Sequence, residues 1–133
     1  MFGVRKLWRA TLAAYNWDQA LVLAASQRYE PAVGQLEAIR RRIGGLRIEH
    51  LIVHGHCLAQ LGNYLQARDS FLQAIEKLNR SDRFSEDEKA YLVLYIARHV
   101  NDPEIQEMFG LDAERDICLN SVQPRLKRMF PID

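Results

Sequence analysis

The amino-acid sequence predicts an all-α fold, a short stack of about seven helices in antiparallel pairs, closed by a C-terminal helical cap. Three observations predict it. The 133 residues include only seven Gly and four Pro, too few turn-forming residues for a fold of many short strands. A spaced set of apolar residues recurs 35 positions later. Helix-start signals precede the apolar segments of the second half.

Composition indicates a soluble globular chain that forms a single domain, residues 1–133. Hydrophobic residues make up 48% and charged residues 26%. No apolar run approaches the roughly 20 residues that a membrane helix needs, so we expect no membrane span. Two cysteines, Cys57 and Cys118, are too few for a disulfide framework and indicate a reducing compartment. We therefore expect a cytoplasmic protein.

Charge is unevenly distributed along the chain although the net charge is only +1. Residues 1–50 carry eight basic against four acidic side chains, whereas residues 81–120 carry four against ten. A basic front and an acidic back could attract each other within one molecule or between two copies, or both could simply be solvated. The small net charge gives no overall attraction to nucleic acid or to an anionic membrane.

Residues 1–15 predict a first helix. Its apolar side chains recur at helical spacing, as Val4, Leu7, Trp8 and Thr11. The basic residues of this segment resemble the start of a targeting leader, but Asn16 and Asp18 interrupt the apolar run that a secretory signal requires. We interpret the segment as part of the fold.

Two consecutive segments repeat each other, a degenerate unit over residues 16–47 and a clearer unit over residues 48–81. The matched pairs at an offset of 35 are Tyr29 and Tyr64, Ala32 and Ala67, Leu36 and Phe71, and Ile39 and Ala74. Each unit is predicted to be a helix, a tight turn and a second helix.

The residues of the second unit explain how its two helices would pack. Gly55 lies in the middle of the first helix, where a small residue lets the partner helix approach and Phe71 fill the gap. Gly62 predicts a turn with positive φ, under which Tyr64 is expected to fold. In the first unit, Pro31 suits the first turn of its second helix.

The stretch Leu51–Leu58, followed by Gly62, Tyr64, Ala67, Phe71 and Ala74, resembles the tetratricopeptide repeat. It departs from that pattern at four positions, Leu51 for Trp, His54 for Leu, Leu58 for Tyr and Asn79 for Pro. The resemblance implies that the stack of helix pairs is right-handed. It also implies a non-catalytic protein–protein interaction module, an adaptor or a small dedicated chaperone, whose partner is a protein or peptide. The RNA-binding pentatricopeptide repeat is an alternative, but it has a shorter first helix, and so few units would read almost nothing.

The resemblance also implies a partner site on the concave surface formed by the first helix of each unit. The residues predicted to line it are Trp17, Leu21, Ala24, Ile52, His56, Ala59, Gln60, Tyr91 and Leu94. This set lacks the Lys, Arg and Asn side chains of a carboxylate clamp, so an amphipathic helix or an extended apolar segment fits better. Alternatively, the protein's own first helix or basic tail covers Trp17 and Leu21.

Two further functions remain open. The basic residues Arg5, Lys6, Arg9 and Arg40–Arg42 could bind nucleic acid, although the net charge does not favour it. The chain could also associate with itself as a homodimer, because a short repeat stack leaves apolar ends to cover.

No residue pattern predicts catalysis, a cofactor or a metal. The chain has no Gly-rich phosphate loop, nucleophile elbow or zinc-protease motif, so we expect no enzyme. His50, His54 and Cys57 share one helical face, but a zinc site would need further ligands, and packing explains them better. The acidic residues Asp112, Glu114 and Asp116 suit a helix N-terminus rather than a calcium loop.

The second half predicts a degenerate third helix pair over residues 82–111 and a capping segment over residues 112–133. Ser85 and Glu88 form a capping box before a helix that reaches Val100 and is apolar on nearly every side. A short helix is expected from Pro103 to Gly110, and a last helix from Asp112 to about Val122. A basic tail follows from residue 124.

Overall fold

The computed structural model describes residues 2–100, 106–107 and 117–132. Within these ranges the chain is all-α, which confirms the predicted fold class. The helices are α1 (Phe2–Ala25), α2 (Tyr29–Ile43), α3 (Ile48–Gln60), α4 (Tyr64–Arg80), α5 (Glu86–His99) and α6 (Pro124–Met129), with a 3-10 turn at Leu119–Ser121. None of the helices in this part of the chain is long and apolar enough to cross a membrane.

The chain divides into two compact units, Met1–Ala74 and Ile75–Asp133. The boundary falls inside α4, whereas the sequence analysis treats the chain as one domain. The first unit contains both predicted repeats except for residues 75–81 of the second repeat. The second unit contains the end of α4, α5 and the C-terminal segment.

α1 is a single helix of 24 residues where the sequence predicts a first helix over residues 1–15 and a separate repeat helix after it. No Gly or Pro interrupts it after Gly3, so nothing ends the first segment. Its buried face carries Ala13, Asn16 and Ala20. Asn16 does not break the helix, because its side chain bonds across to α2 rather than back to its own backbone.

A turn of the same conformation joins α1 to α2 and α3 to α4, and the two turns are 35 residues apart in the sequence. Gln27 and Gly62 hold the left-handed position, with φ of 61° and 82°. In both turns the backbone then folds back onto the preceding helix with the same two hydrogen bonds. In the first turn they run from Arg28 N to Leu23 O and from Gln27 N to Ala24 O. In the second turn they run from Asn63 N to Leu58 O and from Gly62 N to Ala59 O. The sequence repeat is therefore also a repeat of backbone conformation.

The core of the second pair follows the prediction, but its turn tyrosine does not. A Cβ added at Gly55 would lie 2.8 Å from Phe71 Cε1, so the ring packs directly on the glycine backbone. Gly62 has the predicted positive φ, and Pro31 lies in the first turn of α2. Tyr64 is 71% exposed and does not fold under the turn. Backbone hydrogen bonds alone close the turn, so the ring is not needed there.

In the second unit, the capping box forms as predicted. Glu88 N–H donates to Ser85 Oγ (3.1 Å), and Ser85 N–H donates to Glu88 Oε1 (3.0 Å). Between Tyr91 and Ala97, α5 buries every side chain except Val93, as the apolar sequence of this stretch predicts.

The C-terminal segment differs from the prediction. Residues 117–122 form an extended stretch and a 3-10 turn instead of the end of an α-helix. The predicted tail contains α6, because Pro124 occupies the first helical turn and Leu126 and Phe130 are buried. Most of the predicted helix from Pro103 to Gly110 and the start of the helix at Asp112 lie outside the described residues.

Candidate functional site

A buried polar network joins three helices of the first unit. His54 on α3 has its Nδ1 2.7 Å from Ser70 Oγ on α4 and its Nε2 2.9 Å from Glu37 Oε1 on α2. The Arg40 guanidinium lies 3.4 Å from the same carboxylate. The network takes the place of apolar packing at the position where the tetratricopeptide pattern has Leu, and the sequence alone does not predict it.

The partners of His54 define its tautomer. A carboxylate only accepts hydrogen bonds, so Nε2 carries the proton and Nδ1 accepts from the Ser70 hydroxyl. Burial lowers the pKa of His54 below its ordinary value; Glu37 opposes this shift and Arg40 adds to it. His54 is therefore neutral at pH 7, the form that this pattern of donors and acceptors requires.

The order Ser70, His54, Glu37 is that of a nucleophile, a base and an orienting acid. Ser70 is only 3% exposed, so a substrate carbonyl has no access to its hydroxyl. The arrangement can hold a proton in place and fix the relative positions of α2, α3 and α4. We interpret it as a structural network.

His50 and Cys57, which share a helical face with His54, make capping and packing interactions. His50 Nδ1 accepts the Arg47 N–H (3.1 Å) at the start of α3, and its ring meets Trp17 edge-on at 4.7 Å. Burial raises the pKa of Cys57 to about 11, so its sulfur is a protonated thiol at neutral pH. Among the residues that the structure describes, no group of three or more His, Cys, Asp or Glu side chains could hold a metal ion.

The predicted partner-site residues of the first unit differ in burial and fall into three groups. Trp17, Leu21 and Ala24 recur along α1 and are half-buried, as are His56 and Ala59 on α3, while Gln60 is exposed. His56 also meets the edge of the Tyr29 ring at 5.8 Å. Ile52 is completely buried and belongs to the core, because its position on α3 faces inward.

Tyr91 and Leu94 belong to the second unit and are buried. The Tyr91 hydroxyl donates to the Phe130 carbonyl oxygen at 2.6 Å, so the C-terminal segment covers this side chain. The prediction that Tyr91 and Leu94 line an accessible surface therefore places two core residues in the binding site. Helical spacing identifies the face of a helix but does not show whether another segment covers it.

The six basic residues considered for nucleic-acid binding are separated by the fold. Arg9 from α1 and Arg41 and Arg42 from α2 line one cavity of about 400 Å³ together with Ala38. Arg40 instead pairs with Glu37. Arg5 and Lys6 are exposed on α1 and are not part of the cavity lining.

A hydrogen-bonded amide chain supports this cavity. Arg42 Nε donates to Asn16 Oδ1 (2.9 Å), and Asn16 Nδ2 donates to Gln35 Oε1 (2.7 Å). Asn16 is 7% exposed, so the chain connects the rim of the cavity to the interior of the α1–α2 pair.

Comparison of the protein with family models, curated proteins and solved structures gives no match.

Proposed function

We propose that the protein is a non-catalytic interaction module of the tetratricopeptide-like kind, an adaptor or small dedicated chaperone that binds a peptide or a helix. The observation that carries this proposal is the turn repeated at an offset of 35, with the left-handed residue and the backbone hydrogen bonds at equivalent positions. Repeated helix pairs place their first helices side by side, and such surfaces bind extended or helical segments.

The half-buried residues of α1 and α3 form the proposed binding face, which consists of Trp17, Leu21, Ala24, His56 and Ala59. Their side chains are apolar apart from His56, so the face suits an apolar segment or one side of an amphipathic helix. Partial burial favours this use, because such side chains are held in position and still offer surface to a partner.

Neighbouring positions on α1 provide a matched test. Leu21 lies on the proposed face, whereas Val22 is the next residue and is 60% exposed on a different face of the same helix. We expect Leu21→Glu and Ala59→Glu to abolish capture of a specific partner from a lysate of the native host, with partners identified by mass spectrometry. Val22→Glu should capture the same partner as the unmodified protein.

Circular dichroism and thermal melting of the three variants show whether each is folded. Equal capture by Leu21→Glu, Ala59→Glu and the unmodified protein would contradict the proposal. Loss of capture with Val22→Glu alone would place the partner on the face of α1 that carries Val22.

A second candidate function, self-association, is favoured by the outer face of α1. Val4, Leu7, Trp8, Tyr15 and Val22 are all exposed, and Val4 (63%), Leu7 (69%) and Trp8 (63%) lie within two turns of each other. Their spacing of three and four residues is that of a helix seam that packs on another helix. Asp18, three residues after Tyr15 and four before Val22, places a charge in this seam.

Light scattering coupled to size exclusion tests this second function. If α1 forms the contact between copies, the unmodified protein has the mass of a dimer and Trp8→Glu has the mass of a monomer. Lys6→Gln should remain dimeric, because Lys6 is exposed and lies on the opposite side of the helix, two residues before Trp8. A monomeric mass for the unmodified protein at high concentration would rule out this function.

A further inference from the structure

Three arginines from two helices converge on one cavity of the first unit. Arg9 comes from the N-terminal half of α1, and Arg41 and Arg42 come from the last turn of α2, where Gly44 ends the helix in a left-handed conformation. The helices run antiparallel, so the start of α1 lies beside the end of α2 and residues 33 positions apart meet. The cavity, about 400 Å³, falls within the size range of small-molecule sites.

The lining of the cavity within the described residues carries three positive charges and no carboxylate. In the described part of the chain, no Asp or Glu forms an ion pair with Arg9, Arg41 or Arg42. The nearby carboxylate of Glu37 is engaged by Arg40 and His54. Three like charges at one cavity repel each other, and an anion bound among them would relieve that repulsion.

One of the three arginines is held in a fixed orientation. The bond from Arg42 Nε to Asn16 uses one edge of the guanidinium and leaves the terminal NH groups for a ligand. Asn16 is itself fixed by Gln35 and is buried, so the support does not depend on a mobile surface group. Such prior orientation reduces the entropy lost when a ligand binds.

We propose that this cavity binds the phosphate groups of a small soluble ligand, with Arg9, Arg41 and Arg42 as the contacting residues. Guanidinium groups match phosphate oxygens in shape and charge and form paired, charge-assisted hydrogen bonds with them. This function is independent of polypeptide binding to the face that carries Leu21 and Ala59.

The lining favours a small ligand over a nucleic-acid strand. Single strands bind along a basic groove in which aromatic side chains stack on successive bases. The cavity is lined by three arginines and Ala38, and none of these offers an aromatic ring. It therefore fits a phosphate cluster and not a run of nucleotides.

Isothermal titration calorimetry with pyrophosphate tests the proposal on the full chain at low salt. We expect saturable binding that weakens about tenfold in Arg9→Gln and in Arg41→Gln, because each loses a charge-assisted contact. Arg40→Gln is the matched control, since Arg40 is adjacent in sequence but pairs with Glu37. Its affinity should stay within about twofold of the unmodified protein.

Three outcomes would overturn the proposal. The first is the absence of saturable binding of pyrophosphate. The second is an equal loss in Arg40→Gln and Arg41→Gln, which would indicate diffuse attraction instead of a site. The third is binding of a single-stranded RNA oligonucleotide, or of vesicles containing phosphatidic acid, without binding of pyrophosphate, which would indicate a polymer or a membrane as the source of the phosphate.

Discussion

Gly55 is the position at which a single methyl group should be most damaging. Alanine there would gain about 1 kcal/mol of helix propensity. Its Cβ would meet the buried Phe71 ring at 2.8 Å, and overpacking of this kind costs about 1–3 kcal/mol. We expect Gly55→Ala to lower the free energy of unfolding measured by urea denaturation.

Gly34 provides the control, because a Cβ added there meets no atom within 4 Å. Gly34→Ala on α2 should raise stability by up to about 1 kcal/mol. The double variant Gly55→Ala/Phe71→Leu should recover part of the loss, since it removes the ring that the methyl group strikes. An unchanged or raised stability of Gly55→Ala would show that the helices are not in close contact.

Gln27 occupies a left-handed position that suits glycine better. A non-glycine residue there costs roughly 1–2 kcal/mol, and the equivalent residue of the second turn is Gly62. Glycine at this position would relieve that cost, but part of the stabilisation is lost because glycine makes the unfolded chain more flexible. We expect Gln27→Gly to raise the free energy of unfolding by about 0.5–1 kcal/mol.

The reverse change, Gly62→Gln, should lower stability by a similar or larger amount. If Gln27→Gly destabilises the protein while Gly62→Gln has no effect, then the two turns do not have the same conformation.

His54 should make stability depend on pH. Its pKa is lowered in the folded state, so the unfolded chain binds a proton more readily as the pH falls below about 6.5. Stability is therefore highest above that pH and decreases as the pH falls towards the folded-state pKa. His54→Leu should show a shallower decrease between about pH 7.5 and about pH 5 when unfolding is followed by urea denaturation. An identical pH dependence in the two proteins would contradict this account.

At the residue scale, the sequence predicted backbone features better than polar contacts. Gly62 and Ser85 act locally, so their neighbours in the sequence define their roles. His54 contacts Glu37, which lies 17 residues earlier in the sequence, and Ser70, which lies 16 residues later. These contacts form only when three helices pack together. One signal was available, because a histidine at a core position of the repeat requires hydrogen-bond partners.

Among the elements, the C-terminal segment covers α5 with residues that the sequence assigned to a basic tail. Phe130 is completely buried, and its ring packs on Tyr95 with the centroids 5.2 Å apart. Glu88, which caps α5, also accepts the Gln123 N–H at 3.3 Å. One carboxylate therefore connects the start of α5 to the segment that leads into α6.

Loss of the Phe130 ring should destabilise the second unit strongly. Phe130→Ala leaves a cavity beside Tyr95, and such truncations cost about 3–5 kcal/mol. Exposed Leu119, which is on the same segment, provides the control. Thermal melting followed by tyrosine fluorescence should show a large decrease in Tm for Phe130→Ala and little change for Leu119→Ala. Similar melting of both variants would mean that the segment does not stabilise the unit.

Element boundaries were predictable where the sequence contains a stop signal. Gly62 ends α3 and Gly44 ends α2, whereas residues 15–16 contain no such signal and α1 continues through them. The 3-10 turn at residues 119–121 was predicted as helix because its local sequence allows either form. Tertiary contacts of Val122, Leu126 and Phe130 decide between them.

On the scale of the whole molecule, the proposed functions are all located in the first unit. α1 has sides with different properties: the buried face of Ala13 and Ala20, on which Arg9 reaches the cavity one turn before Ala13, and the outer apolar seam with Trp8. The sequence predicted the repeat but could not assign these sides, because the burial of each depends on which helices pack against α1.

The central claim is that a polypeptide partner binds the half-buried face of α1 and α3. Nitrogen-15 NMR of the labelled full chain, titrated with the partner recovered by capture, tests it residue by residue. The account predicts that the amide signals of Leu21, Ala24, His56 and Ala59 shift or broaden, while those of Trp8 and Tyr15 stay unchanged. Shifts confined to Trp8, Tyr15 and Val22 would contradict the claim and assign the partner to the outer face of α1.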